Sequence, residues 1–290
     1  MKNFNEHTIT EAVVARFAGS TTPRVRQISE SLVRHLHAFL REVRPTEAEW
    51  AVGIDFLTST GRMCSNTRQE FILLSDTLGA TMLVDSINHP GADGSTETTV
   101  LGPFYVENPP EFPLGADISS AMPGPKLFIE ASVKDTEGRP IPNAAVDIWH
   151  SDIDGYYDVQ GQNGGELAMR GRLHADSVGH FWCRTIVPQF YPIPNDGPVG
   201  KMLEIQGRHP YRPAHVHFMI AAEGFETLRT HVFLSHSPYL DSDVVFGVKD
   251  SLIRDLEKQP AGVTPGGHQI DAPTDLLRYD FVLNHLRTSK

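Results

Sequence analysis

The chain has 290 residues, 40% of them hydrophobic and 21% charged, enough apolar material for a real core and too little charge for a mostly disordered chain. With 25 Lys and Arg against 36 Asp and Glu the formal net charge is -11, which disfavours nucleic-acid phosphates and anionic membrane surfaces as partners. The two cysteines, Cys64 and Cys183, make no disulfide framework and read as reduced thiols in a cytoplasmic protein.

No run approaches the roughly 20 apolar residues of a membrane span, and the N-terminal MKNFNEHTITEAVVARF carries acids without the apolar stretch of a secretion signal. Residues 8–88 read as helical. Thr8 with Glu11, Thr46 with Glu49 and Thr67 with Glu70 have the spacing of capping boxes at helix starts. Over residues 24–43, Val25, Ile28, Leu32, Leu36, Phe39, Leu40 and Val43 recur with a period of about 3.6, the stripe of an amphipathic helix. Phe71, Leu74, Leu78 and Met82 repeat the pattern to about Ile87, which predicts one further helix.

Pro90, Gly91, Gly94 and Ser95 break the helical half. Short β-rich runs follow: LFIEASV, AAVDIWH, HFWCRTIV, AHVHFMIA and THVFLS. The turn-forming stretches EGRPIPNA, DIDGYY, PNDGP and AEGFE bound them. A late helix is predicted over 248–258, and YDFVL as a closing strand. The fold expected is mainly β with a helical N-terminal domain: helices over 1–100 and a β-sandwich over 101–290. The helical part cannot bury both faces of its helices alone. It is expected to pack on the sandwich, on a second copy of itself, or on both.

The chemistry begins at Arg212-Pro213-Ala214-His215-Val216-His217-Phe218. Residues i and i+2 of a strand share a face, so His215 and His217 present two imidazoles side by side while Val216 and Phe218 turn away. Neutral imidazole binds zinc, copper or iron. An isolated His-x-His is more often an ordinary pair of half-exposed side chains; the apolar opposite face makes this one more deliberate. There is no His-Glu-x-x-His and no Cys-x-x-Cys, so a hydrolytic zinc site is not indicated. Tyrosines offer a second ligand type, since phenolate is a hard anion that suits ferric iron. Tyr156 and Tyr157 follow a turn in WHSDIDGYYD, and Tyr191 lies in IVPQFYPIPND. From the residues alone, no choice among the 7 tyrosines is possible. His174, His180 and His209 have no partner spacing and read as structural, and nothing marks either cysteine as reactive.

Taken together, Trp149 to Gly155 and Tyr157, then IVPQFYPIP, then GRHPYRPAHVHF resemble the intradiol ring-cleaving dioxygenases, and among them the members that act on hydroxyquinol (benzene-1,2,4-triol). LLSDTLGATMLVDSINH and TVLGPFYVENPP resemble the family's dimerisation and pocket segments, so the resemblance runs from about Thr67 to the end. It implies a β-sandwich catalytic core with an α-helical dimerisation domain, and one non-haem Fe(III) held by Tyr157, Tyr191, His215 and His217. Tyr157 is preferred to Tyr156 on its distance from Trp149 and Gly155. It further implies that Tyr191 leaves the metal and takes a substrate proton, and that Arg212 stabilises developing negative charge. His231 stands where catechol-cleaving relatives often have Gln, so its role is left open between substrate contact and support.

Matching segments place Leu73, Asp76, Val100, Leu101, Gly102, Pro103, Phe104, Ile193, Pro194 and Val245 around the substrate, a small aromatic diol or triol that reacts with dioxygen. Periodicity alone puts Asp76 on the solvent side of its helix. Facing the pocket instead, it would accept a hydrogen bond from the third hydroxyl of hydroxyquinol. The resemblance also implies a homodimer through the helical domain, with phospholipid at its interface. Two other readings stand beside this one: catechol or chlorocatechol cleavage by the same site, and a metal-free β-sandwich binding module.

Overall fold

A computed structural model describes residues 3–65, 68–91, 94–160 and 166–286. The chain divides into two compact units, Met1–Ser59 and Thr60–Lys290.

The first unit is helical. It holds α1 (Ile9–Val14), α2 (Pro23–Val43) and most of α3 (Glu47–Met63). Helix α2 starts at a cap the expected boxes did not include: Thr22 Oγ1 accepts from Val25 N at 3.2 Å, and Pro23 occupies the first helical position. It stops at Arg44, whose φ of +50° is left-handed and whose N–H bonds Leu40 O at 2.9 Å. The Thr46–Glu49 box forms, with Thr46 N donating to Glu49 Oε2 at 2.8 Å and Glu49 N to Thr46 Oγ1 at 3.3 Å. The Thr8–Glu11 box does not form. Thr8 bonds Asn5 instead, and Glu11 pairs with Arg34 on α2. Thr67, proposed for the third box, lies outside the described residues. The periodic stripe of α2 is real but uncovered: Val25, Ile28, Leu32, Leu36, Phe39 and Val43 are all exposed.

The second unit takes the end of α3, then α4 (Glu70–Thr77) and α5 (Ala80–Asn88). The single helix expected here is broken at Gly79, whose φ is +72°. The predicted face holds only in part. Met82 is buried and Leu74 packs on the same cluster, but Phe71 and Leu78 are exposed, while Glu70, Leu73, Asp76 and Thr77 are buried.

The β strands follow. They are β1 (Lys126–Asp135), β2 (Ala145–His150), β3 (Arg170–His174), β4 (His180–Ile186) and β5 (Tyr191–Pro192). After α6 (Pro198–Ile205) come β6 (Tyr211–Arg212), β7 (His215–Ala221) and β8 (Leu228–Leu234). The chain closes with β9 (Ile253–Arg254), β10 (Glu257–Gln259), β11 (Gly262–Val263), β12 (Gln269–Ile270) and β13 (Thr274–Leu283). Two sheets dominate, ordered β10-β13-β1-β4 and β3-β2-β7-β8-β9. Alternate residues of both sheets point into one core: Leu127, Ile129 and Val133 from β1, Phe181 and Cys183 from β4, Leu277 and Phe281 from β13, Val146 and Ile148 from β2, and Val216, Phe218 and Ile220 from β7. The helix expected over 248–258 is absent. Ile253 and Arg254 instead pair with β8, and 257–259 with β13, while Leu252 is fully buried in the core. Sheet pairing overrides the local helical pattern there. YDFVL is the end of β13, as expected. Among the described residues no helix is long and apolar enough to cross a membrane.

The ring of Phe281 packs on Phe181, Phe218 and Tyr279 at centroid distances of 6.0, 4.7 and 4.6 Å. Phe281→Ala is therefore expected to cost about 3–5 kcal/mol of stability, measured as a lower urea midpoint. A loss under about 1 kcal/mol would show that this cluster does not join the two sheets.

Candidate metal centre

Strand β7 has two buried faces. Val216, Phe218 and Ile220 enter the core, and the intervening His215 and His217 point the other way, each 1% exposed. Sheet register sets their neighbours. His217 lies opposite Trp149 on β2 and opposite His231 on β8. The Trp149 ring stacks on His217 at 4.6 Å and 12°, fixing the imidazole plane. His215, one pleat earlier, has its ring 4.7 Å from that of His231.

The tyrosines arrive from two loops. After β2 the chain folds over Asp152, whose Oδ1 accepts from Asp154 N at 2.9 Å and Tyr156 N at 2.8 Å. Gly155 sits in this turn with φ +85°; a Cβ there would lie 2.8 Å from Tyr191 Cβ and 2.9 Å from Phe190 O. The turn sends the adjacent tyrosines to opposite sides: Tyr156 is 44% exposed and Tyr157 1%. Asp158, the next residue, is locked in a buried ion pair with Arg170 on β3 and also accepts from Ala168 N. Breaking such a pair leaves an uncompensated buried charge, so Arg170 holds the Tyr157 turn in place. Tyr191 is set by the short β5–β6 ladder, where it faces Arg212.

Four donor atoms converge. Tyr157 Oη is 2.8 Å from His217 Nε2 and 3.4 Å from Tyr191 Oη, and the Nε2 atoms of His215 and His217 are 3.1 Å apart. His215 Nδ1 faces Pro213 O at 2.7 Å, which assigns its proton to Nδ1 and leaves Nε2 as a lone pair. Burial, then the charge of Arg212, drives His215 well below the ordinary imidazole range, and burial with the neighbouring histidines does the same to His217. Burial and Tyr191 push the Tyr157 phenol well above its ordinary value. These groups are therefore neutral when no cation is present, with lone pairs crowded onto one point. Donor separations near 3 Å suit a shared cation with bonds of about 2 Å, and two phenols with two imidazoles suit a hard, highly charged one. A cation reverses the local preference by favouring ionised phenol.

Around the donors, Arg212 Nη1 is 3.4 Å from His215 Nε2, and Nη2 is 3.5 Å from His231 Nδ1. Asp243 grips the same guanidinium with both oxygens, at 3.2 and 3.3 Å. Burial opposes the charge on Arg212, but Asp243 and the phenols outweigh it and shift the group upward. His231 is fully buried, and among the described residues its Nε2 has no hydrogen-bond partner. Burial, then His215 and Arg212, lower it far below the ordinary range. It forms a group with His215 and His217 whose ligand atoms lie within 4.8 Å of one another.

The expected pocket residues fall into two groups. Leu101 and Phe104 pack on Trp149, Tyr157 and Tyr191, with the Phe104 ring 4.4 Å from that of Tyr157 at 26°. Gly102, at φ +77°, passes so close to His217 that a Cβ would lie 3.1 Å from its Cε1. Leu73, Val100, Ile193 and Val245 form a second apolar cluster. Pro103 is exposed and Pro194 half-buried. Asp76, which periodicity alone turns to solvent, is 6% exposed, and among the described residues its Oδ1 has no hydrogen-bond partner. Burial pushes its carboxyl above the usual range; Thr81 and Arg212 oppose this and Asp243 adds to it. Asp243, Asp158 and Arg170 had no signal in the sequence, since a lone acid or base in a loop or strand is usually solvated. Of the histidines expected to be structural, His174 and His180 are exposed and His209 bonds Ser242 at 2.9 Å.

Residues 100–285 match the family described as Dioxygenase, and residues 22–96 match that described as Catechol dioxygenase N terminus. The chain is 51% identical to 6-chlorohydroxyquinol 1,2-dioxygenase of Cupriavidus pinatubonensis, over 98% of this chain and 99% of the relative. It is 48% identical to hydroxyquinol 1,2-dioxygenase of Nocardioides simplex, over 96% and 95%. Among solved structures, hydroxyquinol 1,2-dioxygenase from Pseudomonas putida DLL-E4 superposes with a TM-score of 0.92 at 47% identity, covering 97% of this chain and 99% of the other.

Gly155→Ala tests whether the close approach of the two loops sets the donors. Its side chain cannot be accommodated without moving Tyr191, and φ +85° is strained for alanine. The variant is expected to lose at least about 1 kcal/mol of stability and most of its bound metal, read by thermal melting and metal analysis. Full metal content would show that Tyr191 does not depend on this turn.

Proposed function

The chain belongs to the intradiol dioxygenases, and we propose that it cleaves hydroxyquinol between its two adjacent hydroxyl-bearing carbons. Both atoms of dioxygen enter the product, giving 3-hydroxy-cis,cis-muconate, which tautomerises to maleylacetate. The observation that carries this reading is the convergence of Tyr157, Tyr191, His215 and His217 at 2.8–3.4 Å. These four residues would hold the non-haem iron on which the family depends, in the ferric state that phenolate ligands favour. When bound there, the iron supplies a Lewis acid that ionises the diol and lets its ring react with dioxygen.

The chain's own residues bind, orient and neutralise. Phe104 and Gly102 form a flat wall against which an aromatic ring can lie, since Gly102 lacks a side chain and Phe104 stacks beside Tyr157. Held as a phenolate by the bound cation, Tyr191 Oη would accept a proton from one hydroxyl of the arriving diol and become a neutral phenol. Arg212, held charged by Asp243, stabilises negative charge that develops on the substrate. His231 lines the same buried space and supports Arg212 and the substrate oxygens.

Asp76 discriminates among diols. A buried carboxylate oxygen with no partner costs about 1–3 kcal/mol, and the third hydroxyl of hydroxyquinol supplies the missing bond. Catechol lacks that hydroxyl and leaves the oxygen unpaired.

The exposed stripe of α2 supports a homodimer through the helical unit, because six large apolar side chains on one face call for a cover. A cavity of about 580 Å³ in that unit, walled by Ile9, Leu40 and Trp50 with Arg41 and Arg44 beside them, supports a bound phospholipid.

Substrate discrimination is checked by comparing kcat/KM on hydroxyquinol, catechol and a chlorocatechol. Hydroxyquinol is expected to lead catechol by roughly tenfold or more, and Asp76→Leu to remove most of that lead. Equal turnover of catechol and hydroxyquinol by the unaltered protein would contradict the role of Asp76.

A further inference from the structure

Arg208 belongs to the same motif as the ligand histidines, GRHPYRPAHVHF, yet touches none of the donor atoms. It follows α6, its N–H bonding Leu203 O at 2.8 Å. Its guanidinium spans two separate backbone segments. Nη1 donates to Thr77 O at 2.7 Å, and Nη2 donates to Val244 O at 3.2 Å. Thr77 is the last residue of α4, where carbonyls lack helical partners and a cation is favoured. The same guanidinium lies over the Phe246 ring, 5.2 Å from its centroid.

Phe246 makes the second grip. It has φ +59°, an uncommon conformation for a bulky residue, and its N–H bonds Asp243 O at 3.0 Å. Its ring covers the break between α4 and α5, where a Cβ on Gly79 would lie 3.5 Å from Phe246 Cδ2. Arg208 and Phe246 thus clamp the end of α4 to the 243–247 turn from two directions. Asp76 is one residue before Thr77. Val245 lies between Val244 and Phe246, and Asp243 in the same turn holds Arg212 and also accepts from Gly247 N at 2.9 Å.

We propose that Arg208 is a positioning residue for substrate discrimination: with Phe246 it latches the helix carrying Asp76 to the turn carrying Val245 and Asp243. The latch fixes the distance between the Asp76 carboxyl and the substrate ring. A hydrogen bond weakens steeply with misplacement, so a loosened α4 loses the bond to the third hydroxyl before it disturbs the donor set. This inference rests on the reading of Asp76 as the acceptor for that hydroxyl.

The test uses the iron-loaded protein with Arg208→Gln, Arg208→Lys, Phe246→Gly and Asp76→Leu. The readouts are kcat and KM on hydroxyquinol and catechol, with thermal melting and the visible iron band. Arg208→Gln is expected to lower the hydroxyquinol-to-catechol ratio of kcat/KM roughly tenfold, through a higher KM for hydroxyquinol, while kcat on catechol and the visible band stay within about twofold. Arg208→Lys restores part of the ratio, since one ammonium cannot bridge both carbonyls in the fixed geometry of a guanidinium. Phe246→Gly removes the ring and relieves the positive φ, so the ratio falls without loss of melting temperature; it carries the test if Arg208→Gln does not fold. An unchanged ratio in the Arg208→Gln and Phe246→Gly variants, beside a collapsed ratio in Asp76→Leu, overturns the latch and leaves the Asp76 reading standing. No change in any variant overturns both. Parallel loss on both substrates together with the visible band shows a purely structural role and also overturns the latch.

Discussion

Everything at the site depends on the two-residue alternation of β7. One face of the strand is the centre of the apolar core, and the other carries His215 and His217 into a second buried space. A one-residue slip of register would exchange Val216 for an imidazole in the core. Such a slip is opposed on both sides at once, since β7 is paired with β2 and with β8. The core therefore holds the two imidazoles in place, and Trp149 across the ladder sets the plane of one of them.

Carboxylates hold the rest of the perimeter. Asp243 neutralises Arg212, Asp158 neutralises Arg170 below the Tyr157 turn, and Asp147 takes Arg172 while accepting from Tyr105 Oη at 3.0 Å. Burial and that hydrogen bond push the Tyr105 phenol up to about 12. It stays protonated at neutral pH, so it serves as a donor to Asp147 and as a packing ring on Trp149. His150 is neutral for a comparable reason: burial lowers it to about 4, and both ring nitrogens already have partners in Ser151 O and Thr185 Oγ1. The buried polar groups around the site are thus mostly paired. Among the described residues, His217 Nδ1, His231 Nε2, Trp149 Nε1 and Asp76 Oδ1 are buried without a hydrogen-bond partner.

The sequence made the strands and the histidine pair legible because both follow from a period of two. Val216 and Phe218 mark the core face, so the face of His215 and His217 needs no tertiary knowledge. The tyrosines were not legible that way. Tyr156 and Tyr157 are neighbours, and only the turn over Asp152, with Gly155 at positive φ, decides which one is buried. Asp76 is ambiguous in the sequence, because a stripe of Phe71, Leu74 and Leu78 turns it outward; in the fold Phe71 and Leu78 are the exposed residues and Leu73, Asp76 and Thr77 are buried. Residues 248–258 have a helical pattern locally, but unpaired edges of β8 and β13 take their backbone instead. Arg208 acts through backbone carbonyls, and Asp243 through a buried ion pair with Arg212 and the N–H of Gly247, partners distant in the chain or set by a turn that no side-chain pattern encodes.

The central claim is that Tyr157, Tyr191, His215 and His217 together bind ferric iron that a diol then reaches directly. Its most direct test is the visible absorption spectrum of the purified protein, taken before and after anaerobic addition of hydroxyquinol. The account predicts a broad tyrosinate-to-iron charge-transfer band that moves to longer wavelength when the diol binds. A protein that remains colourless after reconstitution with ferric or ferrous iron would contradict it.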